Sequence, residues 1–194
     1  MGLSLAKGQS LSLKKDDGGA LTRVTLGLGW DPVKKKGLFG GFSGGGDIDL
    51  DASVIFFDAN KNVLDTVYYG SLRSKDGSVQ HSGDNLTGDG DGDDEQIVVD
   101  LSRVNASVQS LVFVITSYSG QKFSQLENVF CRLVDNSAGA KEFVRYNLAD
   151  NSNTTGMVMA TVSREGSGWA FKAVGAPCNG KTAGDVVNDA KAAA

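Results

Sequence analysis

Apolar and polar residues alternate along much of this chain, in short runs separated by breaks rich in Gly, Asn and Asp. A period of two places successive side chains on opposite faces of a strand. The pattern predicts strands at Leu11–Lys14, Thr22–Leu28, Asp47–Asp58, Val63–Tyr69, Gln96–Leu101, Leu111–Ser117, Val129–Val134, Phe143–Leu148, Met157–Ser163 and Trp169–Val174. Turn signals between them include Asp16-Asp17-Gly18-Gly19, Asn60-Lys61-Asn62, Asp76-Gly77-Ser78 and Arg164-Glu165-Gly166-Ser167-Gly168. Short strands at this spacing indicate an antiparallel sandwich rather than βαβ units. A short helical turn is expected near Ser102–Ala106. The tail from Thr182 to Ala194 reads as a helix, with Thr182 as cap and Asp185 at the third position. The expected fold is all-β: an antiparallel two-sheet β-sandwich with a short C-terminal helix. It forms a single domain over residues 1–194, with 182–194 as the helical tail.

Composition agrees with that picture. A chain of 194 residues with 40% hydrophobic content can bury a sizeable core. Two prolines against 26 glycines make its turns Gly-driven. No stretch approaches the ~20 apolar residues of a membrane span. The start, Met1-Gly2-Leu3-Ser4-Leu5-Ala6-Lys7, lacks the apolar region of a secretory signal, and Ala6 breaks the myristoylation pattern. A cytoplasmic location is therefore expected. The sequons at Asn85, Asn105 and Asn153 then carry no meaning, and Cys131 and Cys178 read as reduced thiols.

Charge changes the picture at one place. Six carboxylates fall between Asp84 and Glu95, in Asp84-Asn85-Leu86-Thr87-Gly88-Asp89-Gly90-Asp91-Gly92-Asp93-Asp94-Glu95, with no Lys or Arg among them. The whole chain carries only −4. Alternating glycines let the backbone turn sharply, so that several carboxylates and carbonyls can point inward. That is the chemistry of a hard-cation site, and Ca²⁺ takes six to eight oxygens in flexible geometry. A solvated acidic run is the plainer reading, but it has no need of a Gly between successive acids. Asp47-Ile48-Asp49-Leu50-Asp51 adds a second acidic element, with three carboxylates on one face of a strand start. Like charges placed so repel, and a cation that gathers them removes the conflict. The alternative is a sheet end dipping into solvent.

Neither element is an EF-hand. Asp47-x-Asp49-x-Asp51 meets Ala52 where that loop needs Gly, and Asp58 where it needs Glu. Asp89-x-Asp91-x-Asp93 meets Asp94 and Asp100 at the same two places. A nonapeptide β-helix repeat needs several copies, and there is one.

Gly27-Leu28-Gly29-Trp30-Asp31, Asp47-Ile48-Asp49-Leu50-Asp51-Ala52-Ser53, and Asp76-Gly77-Ser78-Val79-x-His81-Ser82-Gly83-Asp84-Asn85-Leu86-Thr87-Gly88 with Asp93-Asp94-Glu95-Gln96-Ile97 resemble the TerD-domain family of bacterial tellurite-resistance and stress proteins, closest to its TerZ branch. The resemblance runs to the Trp169-x-Phe171-x-Ala173-Val174-Gly175 stretch. It implies a cytoplasmic β-sandwich that binds Ca²⁺, in a family with no established biochemical activity. It also implies a role for Asp31 as a ligand. Acidic pattern and resemblance together nominate Asp31, Asp47, Asp49, Asp84, Asn85, Asp91, Asp93, Asp94 and Glu95 as metal ligands, with more than one Ca²⁺ ion. The stretch from Lys34 to Gly46 is longer than the family's usual connection.

Three other features call for weighing. Gly175-Ala176-Pro177-Cys178-Asn179-Gly180-Lys181-Thr182 matches the P-loop pattern, between a strand and a helix. Only 12 residues follow Thr182, too few for the further parallel strands of an NTPase, so no nucleotide is expected. The lone His81 supports no catalytic triad; a place beside the acidic loop suits it better. Lys34, Lys35 and Lys36 with Phe39 and Phe42 form a short basic run, weak as a nucleic-acid signal in an acidic chain, though open to membrane or partner contact. Three function classes follow. One is a Ca²⁺-binding stress-response module acting by association with other proteins of the same resistance system or with a membrane. The others are a Ca²⁺-dependent hydrolase and a Ca²⁺-dependent carbohydrate-binding sandwich. The chain has no positioned nucleophile or base, which favours the first.

Overall fold

A computed structural model describes residues 3–15, 18–32, 49–83, 92–136, 141–147 and 153–194. Twelve strands are described: β1 (Leu3–Ser4), β2 (Ser10–Ser12), β3 (Arg23–Pro32), β4 (Leu50–Phe57), β5 (Val63–Val67), β6 (Val79–His81), β7 (Glu95–Asp100), β8 (Ser110–Ser117), β9 (Leu126–Asp135), β10 (Lys141–Asn147), β11 (Gly156–Glu165) and β12 (Gly168–Cys178). They form two six-stranded sheets. One runs β1-β10-β9-β3-β7-β6 and the other β2-β12-β11-β8-β4-β5. All pairings are antiparallel except β1 with β10.

The β-sandwich is thus the expected one, and each of the ten expected strands has a counterpart. Period two explains the layering. Leu26 and Leu28 of β3, Leu50, Ala52, Val54 and Phe56 of β4, and Leu111, Phe113 and Ile115 of β8 join the main core. The intervening Ile55, Phe57, Val112 and Val114 face the other way, into a second cluster with Val186 and Ala190. That is why all eight residues of β4 and all eight of β8 are buried: the C-terminal helix α1 (Val187–Ala193) covers the outer face.

The local differences have local causes. The helix starts at Val187 rather than Thr182, because the Asp185 carboxylate folds back onto the backbone N–H groups of Lys181 and Thr182, both at 3.0 Å. This keeps the preceding residues in a turn. Ser102–Ala106 forms turns rather than a helix, and a 3₁₀ turn stands instead at Phe123–Gln125. The strand expected from Asp47 begins at Leu50; residues 47 and 48 lie outside the described ones.

Candidate functional site

The site is built where β3, β7 and β9 lie side by side. Gly27 pairs across the strands with Gln96 on one side and Arg132 on the other. Neighbours Leu26 and Leu28 point into the core, so the Gly27 position opens on the outer face of the sheet. Lacking a side chain, Gly27 leaves a slot there, and the Asp93 carboxylate lies in it. Arg132 donates to Asp93 through Nε at 2.7 Å and Nη2 at 3.1 Å, and Gln96 Nε2 adds a donor at 3.2 Å. The Asp93 side chain is 1% exposed. Arg132 also reaches Glu142 at 3.3 Å, and Glu142 accepts from Arg145 at 2.9 Å. The hydrogen bonds to Asp93 hold the Arg132 guanidinium above its ordinary pKa against burial, which opposes them. Arg145 holds the Glu142 carboxyl below its usual range. A Cβ on Gly29 would lie 2.4 Å from Phe130 Cζ and 2.7 Å from the Gly92 carbonyl oxygen, so the close approach expected at both glycines is present.

Glu95 points the opposite way. It faces Leu28 in the register and is fully buried. Its Oε2 accepts from the Ala52 N–H at 2.7 Å and lies 3.4 Å from His81 Nε2. The same ring nitrogen stands 3.0 Å from the Ala52 carbonyl oxygen, while Gly83 N–H points at Nδ1 at 3.0 Å. Nδ1 is therefore the acceptor and Nε2 carries the hydrogen. Burial pulls the His81 pKa down, but Glu95, Ala52 and Asp51 together outweigh it and raise the value. A second proton on Nδ1 would break the Gly83 contact. His81 thus sits beside the acidic residues in a supporting position, as expected.

Asp94 is tied to β3. Its Oδ2 accepts from Trp30 N–H at 2.9 Å, and its own N–H donates to the Leu28 carbonyl at 2.8 Å. Asp49 is part-buried just before β4, and its carbonyl oxygen accepts from Tyr118 N–H at 3.2 Å. Asp31 is placed through its backbone, opposite Glu127 near the end of β3. Asp47, Asp84, Asn85 and Asp91 lie outside the described residues, as does the stretch from Lys34 to Gly46. The structure therefore brings Asp93, Asp94 and Glu95 to one end of β7, but Asp93 lies before the strand begins and turns outward to Arg132, while Glu95, its first residue, faces inward. Among the described residues, no group of three or more His, Cys, Asp and Glu side chains is arranged to hold a metal ion. The acidic side chains offer only oxygen donors, the type a hard cation takes. Arg132, Glu142 and Arg145 belong to the site's electrostatics but carry no signal in the sequence. Arg132 is 39 positions from Asp93 and lies in an ordinary strand pattern.

The P-loop match is not a phosphate cradle. Gly175 to Cys178 are strand residues of β12, paired antiparallel with β11. The Lys181 and Thr182 N–H groups that would face a phosphate are held by Asp185. The two thiols are buried, and burial pushes both Cys131 and Cys178 up to about 12. Among the described residues no helix is long and apolar enough to cross a membrane.

Comparison with known proteins agrees with this architecture. The TerD domain matches residues 1–188. The chain is 48% identical to the tellurium resistance protein TerZ of Serratia marcescens over 96% of both chains. It is 43% identical to the stress response protein SCP2 of Bacillus subtilis (strain 168), covering 97% of this chain and 98% of that one. Among solved structures, a TerD homologue from Streptomyces coelicolor superposes with a TM-score of 0.66 at 21% identity, over 88% of this chain and 96% of that one. The protein SAV2460, of unknown function, gives 0.69 at 22%, over 84% and 94%. These two show the fold. The match over residues 1–188 and the 48% and 43% identities carry the family: the chain belongs to the TerD domain family of tellurium-resistance and stress-response proteins.

Proposed function

We propose that this protein is a Ca²⁺-binding stress-response module of the cytoplasm, acting by association with other proteins of its resistance system or with a membrane, and not by catalysis. One observation carries the reading. Three consecutive acidic residues, Asp93, Asp94 and Glu95, are drawn into the sheet end, with the Asp93 side chain 1% exposed and Glu95 fully buried. Burying carboxylates is costly unless charge or hydrogen bonds compensate. Arg132 compensates Asp93 on the outer face. On the inner side the Ala52 N–H and His81 support Glu95, and a cation held by the wider acidic run would add to the balance. Ca²⁺ is favoured over Mg²⁺, which demands tight octahedral geometry and keeps its waters. Binding neutralises charge and fixes the loop backbone, and both favour docking on a partner.

Calorimetric titration of chelator-treated protein tests the metal. Saturable heat with Ca²⁺, weakened in Glu95→Gln, supports it; no heat at millimolar Ca²⁺ overturns it. Co-purification with and without Ca²⁺ tests the association. Partners that come down only with Ca²⁺ support the module reading, and metal-dependent turnover of sugar, phosphate ester or peptide by the purified protein overturns it.

A further inference from the structure

We propose that Asn179 is a deamidation site, held silent by Thr155 in the folded chain and released when the C-terminal segment lifts from the sheet. Asn179-Gly180 is the one Asn-Gly pair in the sequence. At such a pair the backbone nitrogen of the glycine, once it has lost its proton, attacks the asparagine Cγ. A C–N bond closes a five-membered imide, and the side-chain nitrogen leaves as ammonia. Water then opens the ring to aspartate or isoaspartate. A glycine in second place favours this chemistry, because no Cβ obstructs the turn that the backbone must make.

Packing calls for glycine at 180. A Cβ there would lie 2.6 Å from Val186 Cγ1 and 2.8 Å from Asp185 Cβ, and Val186 is fully buried in the cluster beneath α1. The pair stands just past Cys178, the last residue of β12. Asn179 is exposed, so water reaches it. The nitrogen that would attack is engaged. Gly180 N–H donates to Thr155 Oγ1 at 3.1 Å, and the same hydroxyl donates to the Gly180 carbonyl oxygen at 3.0 Å. Thr155 is fixed in turn, because its carbonyl oxygen accepts from Ser117 N–H at 2.8 Å, at the end of β8. The next two N–H groups, those of Lys181 and Thr182, are held by Asp185.

Attack therefore requires the Thr155 bonds to break and the turn to open. Local opening of a terminal segment needs less free energy than global unfolding. Conversion at Asn179 thus reads how often the stretch from Asn179 to α1 leaves the sheet, and the product records that event permanently. It adds one negative charge and, as isoaspartate, one backbone carbon. Both changes fall between β12 and the residues that seat Val186 and Ala190 in the cluster with Ile55, Phe57, Val112 and Val114. None of these residues is among the nominated metal ligands, so the site is independent of the calcium reading.

The test incubates the full chain in excess Ca²⁺ at mildly alkaline pH. Peptide mass spectrometry follows aspartate and isoaspartate at position 179, with the urea-unfolded chain as reference. Asn179 should convert at least about 10-fold more slowly in the folded chain, the scale of the hydrogen bonds that opening breaks. Thr155→Val keeps the shape but removes the hydroxyl, and should recover most of that factor; Thr155→Ser should restore the protection. Should Thr155→Val fail to fold, Asp185→Ala frees the turn from its exposed side and should also speed conversion. Asp93→Asn, which weakens the fold in the other sheet, should leave the rate at Asn179 unchanged. Equal rates in the folded and unfolded chains, no acceleration in the folded variant, or the same acceleration in Asp93→Asn would each overturn the assignment.

Discussion

Gly27 and Asp93 compete for one space: a Cβ built on Gly27 would lie 2.1 Å from Asp93 Oδ2. The glycine is needed here for room, not for an unusual backbone angle. The flexible end of Asp93 could move aside, but only by leaving Arg132 and Gln96. Gly27→Ala should therefore destabilise the fold by about 1–3 kcal/mol, the usual cost of overpacking. Denaturant unfolding with an unchanged m-value checks it; wild-type stability would show that the slot is not tightly held.

Removing the charge rather than the room should give a related loss. Asp93→Asn leaves Arg132 without its bidentate partner. A fully buried pair broken on one side costs about 3–5 kcal/mol. Arg132 is 29% exposed and keeps Glu142, so about 2 kcal/mol is expected here. A double-mutant cycle with Arg132→Gln isolates the coupling.

Metal removal should lower stability if the acidic run holds Ca²⁺. At free Ca²⁺ about 100 times the dissociation constant, linkage gives about 2.7 kcal/mol per site. Thermal melts in EDTA and in Ca²⁺ should differ by several degrees. Identical melts would mean that the acids are merely solvated.

Acid should weaken the fold through Asp76 and Glu142. Burial by itself raises Asp76, but hydrogen bonds from Ser78, Asn105 and Ser74 outweigh it and hold the carboxyl below its ordinary 3.8. Arg145 holds Glu142 below 4.5. A carboxyl depressed in the folded state adds stability that is complete above its unfolded pKa and is lost as pH falls through the folded value. The loss therefore lies below about pH 4.5, and Asp76→Asn should flatten this acid limb in melts taken from about pH 6 to pH 3.

Lys181→Ala should leave the fold unchanged, and the wild type should show no saturable ATP binding. Asp185 already occupies the N–H groups of Lys181 and Thr182. Micromolar ATP affinity that is lost in the variant would contradict the antiparallel placement of this segment.

The strands were legible because each alternates over several residues. β6, at three residues, and β1, at two, are too short to show a period and gained no expectation. The close approach at Gly27 and Gly29 could be anticipated from the glycines themselves. What fills the space could not, since Arg132 is remote in sequence and nothing local marks it. The acidic run announced its chemistry through composition, yet composition does not reveal side-chain direction. Only the contacts show that Glu95, at the start of β7, turns inward while Asp93, before the strand, turns out.

The lengths of the strands have a consequence for behaviour in a crowded cell. The described sheets end in β1, β6, β2 and β5, which are two, three, three and five residues long, against ten and eleven for β3 and β12. An exposed edge offers unpaired backbone groups to any other chain, and short edges offer few. The longest, β5, also carries the Asp65 carboxylate in an ion pair with Lys75. The described sheets thus give another chain little backbone on which to add a strand.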